Sequence, residues 1–406
     1  MHVPMTSGLP HARHRGGVSW TALFLALALV CGGLWSSGAP ATGQGPMRVE
    51  YAFPQSGDFQ VAANTRIYVT FSQPVDPATV NANTFFLSPA TPGTVTYNSG
   101  SRTAIFRPSA PLVGPGGAAT TYTVTVTTGV QSEDGTSLPS EFSWSFSTQP
   151  WPDITPPGVH ALEPRESETT VPLNRSVQVF FSEPLDPSTV NSGTFRIDPQ
   201  VAGVLAYDGA RKVLTFRPLE NLAVGTTYTV TVTAGVTDTA GNSPSLDSAW
   251  QFTTGDARDE EGPTAHRFYP YDGSTIEALR GECAPFRAVI SASFSEPIDA
   301  TTLDGSTVLV NGHPVEMVEY NPLLRTLDGR PGSCTEGTQG VRITTGVKDL
   351  AGNPLPSEVS WSFQLKWVDK IVICPSPREP GDDCFTMGGD PGGGGCFIGL
   401  LSGPAR

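Results

Sequence analysis

Thr121-Tyr122-Thr123-Val124-Thr125-Val126-Thr127 alternates polar and apolar residues without a fault, and Thr227-Tyr228-Thr229-Val230-Thr231-Val232-Thr233 repeats it. Tyr and Val fall on one face and Thr on the other, the period of two expected of a strand with one buried and one wet side. Thr and Val are β-branched and suit a pleated strand. Outward from this stretch, three strings recur in one order. The first is Val69-Thr-Phe-Ser-Gln-Pro-Val-Asp76, Val179-Phe-Phe-Ser-Glu-Pro-Leu-Asp186 and Ala292-Ser-Phe-Ser-Glu-Pro-Ile-Asp299. The second is Gly129-Val130, Gly235-Val236-Thr237-Asp238 and Gly346-Val347-Lys348-Asp349. The third is Trp144-Ser-Phe146, Trp250-Gln-Phe252 and Trp361-Ser-Phe363. The tryptophans are 106 and 111 residues apart. That spacing matches a sandwich domain of about 100 residues and not a solenoid repeat of about 20–50.

The composition agrees. Of 406 residues, 44 are Gly and 38 are Pro, about a fifth of the chain, against an average near 12% for the two together. Such a chain is not mostly helical, because Pro lacks a donor and Gly costs entropy in helix interiors. Gly does not recur every third position, so it is not collagen. With 38% hydrophobic residues it has the means to build cores. Further strands are expected over Arg66–Phe71, Gly93–Tyr97, Thr103–Arg107 and Phe142–Phe146, with counterparts in the second copy and Pro and Gly-Asn turns between them. The fold class is all-β: three tandem antiparallel two-sheet sandwiches over residues 46–149, 154–255 and 262–367. The Gln149–Pro157 linker is Pro-rich and expected to be stiff. The Gly255–Pro263 linker is acidic and expected to extend by self-repulsion. Residues 368–406, rich in Gly and Pro, are expected to form a disordered tail.

The order Phe181-Ser-Glu-Pro-Leu-Asp-Pro-Ser-Thr-Val-Asn191, Thr227–Val232, Asp238-Thr-Ala-Gly-Asn242 and Trp250-Gln-Phe252 resembles the bacterial Ig-like domain of the SbsA type, found in S-layer and other surface proteins. The resemblance covers roughly residues 46–367 in three copies. The second copy matches best. The first has Ser132-Glu-Asp-Gly-Thr136 in place of Asp-x-Ala-Gly-Asn, and the third has Gln339 where Tyr122 and Tyr228 stand. The resemblance implies an extracellular β-sandwich array that is structural or adhesive and has no catalytic residues. Near the end, Gly392-Gly-Gly-Gly-Cys396-Phe-Ile398 resembles the CFI-box of exported bacterial proteins, without its Ala/Tyr-rich continuation. That resemblance makes Cys396 the candidate point of envelope attachment, against a plain tail with a thiol.

The N-terminus reads as an export signal over residues 1–41. A basic region (His11, Arg13, His14, Arg15) precedes the apolar run Trp20–Leu34 and the small residues Ala39-Pro40-Ala41. The run is short for a membrane span. An uncleaved anchor, or lipidation at Cys31, are the alternatives. No other segment is apolar enough to span. The chain is placed outside the cytoplasm, secreted or on a bacterial cell surface. The whole chain carries −14 (24 basic, 38 acidic); without Arg13 and Arg15 it carries −16 (22 basic, 38 acidic). That charge excludes nucleic acid as a partner.

In an Ig-like strand order Cys283 and Cys334 fall near one pole, so a disulfide between them is expected, closing a loop of about 50 residues and contributing roughly 3–4 kcal/mol. Cys374 and Cys384 are expected to close a tail loop. Asp238/Asn242 and Asp349/Asn353 read two ways. They suit a calcium loop, to which Asp186 and Asp299 add carboxylates; they also suit a tight turn with Asp bonding local backbone and Gly at positive φ. The turn is the preferred reading, and no other cofactor is indicated. The Trp-x-Phe aromatics are read as core, and Tyr122 and Tyr228 as tyrosine corners. No zinc spacing, nucleophile elbow, HExxH or P-loop is present. The expected function is a non-enzymatic cell-envelope protein, a tandem spacer or adhesive stalk with envelope proteins or glycans as partners. The alternatives are a glycan- or protein-binding module acting through inter-strand loops and an accessory to a secreted enzyme.

Overall fold

The computed structural model describes residues 45–279, 290–368, 370–373 and 385–388. Among them there is no α-helix, only strands and four one-turn 3-10 helices. The first sandwich holds β1 (Val49–Phe53), β2 (Ile67–Phe71), β3 (Phe85–Ser88), β4 (Gly93–Asn98), β5 (Thr103–Pro108), β6 (Thr121–Val126) and β7 (Phe142–Ser147). The second holds β8 (Val159–Glu163), β9 (Glu168–Val171), β10 (Val177–Phe181), β11 (Phe195–Asp198), β12 (Gly203–Asp208), β13 (Val213–Pro218), β14 (Thr227–Val232) and β15 (Ser248–Thr254). The third holds β16 (Ala265–Tyr269), β17 (Thr275–Leu279), β18 (Ile290–Phe294), β19 (Val308–Val310), β20 (His313–Asn321), β21 (Thr326–Pro331), β22 (Gly337–Ile343) and β23 (Val359–Val368).

The sheets of the first two sandwiches follow one plan. Order β1-β2-β5-β4 faces β3-β6-β7, and order β12-β13-β10-β8 faces β11-β14-β15-β9. Pairing is antiparallel except where β9 joins β15 and β17 joins β23 in parallel. In the third sandwich the nine-residue β20 pairs with both β19 and β21, so eight strands run as one continuous sheet. After it, β24 (Lys370–Ile373) and β25 (Phe385–Gly388) form an antiparallel pair within the segment expected as a flexible tail.

The period-two stretch behaves as its pattern requires. Tyr122, Val124 and Val126 are buried in β6, as are Tyr228, Val230 and Val232 in β14. Their partners across the ladder are the Trp-x-Phe residues: Tyr122 opposite Phe146 and Val124 opposite Trp144, then Tyr228 opposite Phe252 and Val230 opposite Trp250. Both Tyr–Phe pairs stack, at ring-centroid separations of 5.9 and 5.5 Å. All six Trp-x-Phe aromatics lie in three separate cores, one per sandwich. The indole N–H groups of Trp144 and Trp250 donate to the carbonyls of Pro54 (2.7 Å) and Pro164 (3.2 Å), which keeps a buried donor satisfied. The Tyr228 hydroxyl accepts from the Ala223 N–H at 2.9 Å, the tyrosine corner expected there. Gln339 substitutes for it in the third copy, its amide donating to the carbonyls of Thr335 and Gly337.

A second set of tyrosines, unremarked in the sequence, ties strand to loop in all three copies. The hydroxyls of Tyr97, Tyr207 and Tyr320 accept from the backbone N–H of Val75, Leu185 and Ile298 at 2.9, 2.7 and 3.0 Å. Each fixes the segment that carries the repeated Ser-x-Pro-x-Asp turn, which is where the sandwiches meet.

Candidate functional site at the interdomain joints

The short turn after the Ser-x-Pro string begins in every copy with an Asp. Asp76, Asp186 and Asp299 each accept a backbone N–H two residues on, from Ala78, Ser188 and Thr301, capping a 3-10 turn. In the second and third copies the same carboxylate also faces the preceding sandwich. One oxygen of Asp186 takes the cap; the other meets the Arg66 guanidinium at 2.6 Å and that of Arg107 at 3.5 Å. Asp186 is 1% exposed, so these are its counterions in place of water. At the second joint Asp299 accepts from the Gln178 amide (2.8 Å) and meets Arg217 at 2.6 Å.

Backbone contacts repeat at both joints. The Arg66 N–H donates to the Thr239 carbonyl, and the Ser176 N–H to that of Leu350. Asn64 exchanges two hydrogen bonds with the backbone of Asp153, and Asn174 does the same with Asp259. The acidic linker is tied to the second domain by hydrogen bonds. It is held along its length, with Leu173 bonding Ala257 and Arg258 bonding Asn221 besides the Asn174 pair.

The Asp-x-Ala-Gly-Asn residues sit in the joints. Asp238 is fully buried; its Oδ1 accepts three backbone N–H groups, from Ala240, Gly241 and Asn242, and its Oδ2 accepts the Asn242 amide at 2.7 Å. Gly241 (φ +99) and Gly352 (φ +95) adopt the left-handed backbone that a side chain resists. The Asn242 amide also reaches the linker carbonyls of Asp153 and Thr155, and Asn353 reaches those of Asp259 and Glu261. This is the geometry of a turn that doubles as a strut.

Two carboxylates join each buried Asp. Oxygens of Asp153, Glu183 and Asp238 lie within 4.8 Å of one another, and so do those of Asp259, Glu296 and Asp349. Desolvation first, and then the neighbouring carboxylates, push Glu183 and Glu296 up to about 7. Three oxygen-bearing acids at this spacing form a donor set suited to a hard divalent cation. The sequence reading missed Asp153, Glu183, Asp259 and Glu296. A signal was present: the first copy has Gly43, Gln73 and Ser132 at the three positions, so the acids are present or absent as a set. Arg175, buried in the second joint, pairs with buried Glu163 at 3.5 Å.

The sequence profile of the bacterial Ig-like domain matches residues 43–148, 153–254 and 259–365. The chain belongs to this bacterial Ig-like domain family. No curated protein matches it. Among solved structures it is similar to CopC from Methylosinus trichosporium OB3b (18% identity, 25% of this chain and 93% of that one, TM-score 0.20). It is similar too to domains 1–6 of the surface layer protein SbsC (13% identity, 84% and 63%, TM-score 0.21) and to Drosophila N-cadherin EC1-3 (12% identity, 70% and 89%, TM-score 0.18). The chain spans less than two thirds of the SbsC structure, and no property of these proteins follows for it. Among the described residues no helix of this Ig-like array is long and apolar enough to cross a membrane. Cys334 packs on the third core. The export signal, Cys31, Cys283, Cys374, Cys384 and Cys396 lie outside the described residues.

Proposed function

We propose that this chain is an exported, non-enzymatic protein of the bacterial cell envelope whose three Ig-like domains act as a spacer or adhesive stalk of set geometry. The observation that carries the reading is the repetition of one joint: a buried Asp that caps its own domain and is pinned by side chains of the domain before it. Linkers free to flex would need no such pins. Partners are envelope proteins or glycans, reached through inter-strand loops. Cys283 is the partner proposed for Cys334, Cys374–Cys384 a second disulfide, and Cys396 or Cys31 the candidate anchors. Fractionation of the native producer with mass spectrometry of the mature chain tests this. Recovery from the envelope or medium, lacking residues 1–41, is expected; an intact chain in the cytoplasm overturns it.

The paired acidic clusters favour a second element, calcium at the joints, held by Asp153, Glu183 and Asp238 and by Asp259, Glu296 and Asp349. Bound calcium would neutralise three like charges and fasten each linker to the following domain. Melting followed in calcium and in chelator decides it. A rise with calcium that Glu183→Gln and Glu296→Gln abolish is expected; equal melts remove calcium from the account.

A further inference from the structure

Aligned by sequence, the two joints are built from the same backbone contacts but filled differently. Five residues form a buried apolar cluster across the second joint: Ala161, Phe180 and Val213 from the second domain, Ala300 and Tyr320 from the third. The Phe180 and Tyr320 rings meet at 6.3 Å. The corresponding residues at the first joint are Tyr51, Thr70 and Thr103 against Pro187 and Tyr207. There the two Thr hydroxyls bond each other at 2.9 Å, and the five residues line a cleft of about 760 Å³. A smaller cleft of about 490 Å³ runs beside the apolar cluster of the second joint. Across the first joint the Tyr51 ring lies on Gly209, and burial raises the pKa of both Tyr51 and Tyr207.

Besides the backbone contacts that both joints share, the first joint is closed by ion pairs. Arg66 and Arg107, with side chains about a quarter and a third exposed, both converge on Asp186. Asp186 itself is buried, so salt acts through the solvent-facing sides of the two guanidiniums, and the screening length there falls from about 10 Å at 0.1 M to about 3 Å at 1 M. The second joint also carries an ion pair, Arg217–Asp299, but loses nothing apolar when salt screens it, because apolar burial is not electrostatic.

We infer that the array is a welded pair, domains 2 and 3, carrying domain 1 on a salt-sensitive hinge centred on Asp186. The switch is ionic strength, and the two positions that decide which kind of joint forms are Thr70/Phe180 and Thr103/Val213. Its biological use rests on the spacer reading, but its test reads joint angles and not location, so the two fail separately.

The experiment uses the full chain with spin labels at the exposed Ser140, Ser245 and Ser357 and measures distance distributions across each joint in low salt and in about 1 M salt. The 140–245 distribution is expected to broaden in high salt while 245–357 stays narrow. Asp186→Asn, which keeps a good cap, is expected to broaden the first joint at low salt; Asp299→Asn is expected to leave the second narrow. Thr70→Phe with Thr103→Val should abolish the salt response of the first joint, and Phe180→Thr with Val213→Thr should create one at the second. Equal responses of both joints in the unmodified chain overturn the inference, whatever the variants do. So does an Asp299→Asn chain that broadens as much as Asp186→Asn.

Discussion

Gly241→Ala and Gly352→Ala make a matched pair of perturbations. Both glycines occupy the fourth position of Asp-x-Ala-Gly-Asn, at φ +99 and +95, so each alanine incurs the same left-handed strain of about 1–2 kcal/mol. They differ in their surroundings. A Cβ on Gly352 meets no heavy atom within 4 Å, whereas one on Gly241 comes within 2.8 Å of Arg66 Nη2. That guanidinium must move, and it is the group paired with Asp186 at 2.6 Å. Losing a pair of this exposure adds up to about 1 kcal/mol. Domain-resolved calorimetry should therefore show a loss of about 1–2 kcal/mol in the third domain for Gly352→Ala and a larger one, up to about 3 kcal/mol, in the second for Gly241→Ala. Each kcal/mol corresponds to roughly 4–8 °C for a domain of this size. Interdomain distances should broaden across the first joint in Gly241→Ala only. If Gly241→Ala melts like Gly352→Ala and leaves the first joint unchanged, the assignment of Arg66 as a joint pin is wrong.

Three other outcomes are expected. Without divalent cation, Glu183 and Glu296 titrate near 7 in the fold against about 4.5 in the unfolded chain, so the folded state holds more protons in between. Their contribution is fully present below about pH 4.5 and lost as pH rises through about 7, and urea midpoints of Glu183→Gln should lack that part of the slope. Tyr207→Phe removes the acceptor for the Leu185 N–H and should destabilise the second domain by about 1–3 kcal/mol in chemical unfolding. Trp250→Ala deletes a buried indole and its bond to Pro164, and should cost that domain about 3–5 kcal/mol; a loss below 1 would place the side chain outside the core.

The strands were legible because their signal is local. Thr227–Thr233 states its own period, and Trp250-Gln-Phe252 states its own burial, so the face that enters the core can be read without knowing the partner. The Asp-x-Ala-Gly-Asn turn was legible for the same reason, since Asp238 bonds its own next residues. The joints were not. Arg66 and Asp186 are 120 residues apart, and neither looks unusual in its own neighbourhood. Glu183 and Glu296 sit inside the repeated Phe-Ser-Glu-Pro string, where only the Gln73 of the first copy sets them apart from the rest of the repeat. The hold on the acidic linker was not legible either, because charge density says nothing of the Asn174 side chain that bonds its backbone.

Because one carboxylate serves as both cap and pin, domain 1 behaves thermodynamically as a ligand of domain 2. Undocking it leaves Asp186, 1% exposed while docked, to rehydrate or to stay buried without its arginines, so the second domain should be measurably less stable alone than in the array. The same linkage runs from domain 2 to domain 3 through Asp299. The coupling is reciprocal, so each joint stabilises the domains on both of its sides. An array of this kind, nicked by a protease or pulled until one joint opens, loses protection in the two domains flanking the break, and the middle domain, with a joint at either end, has the most to lose.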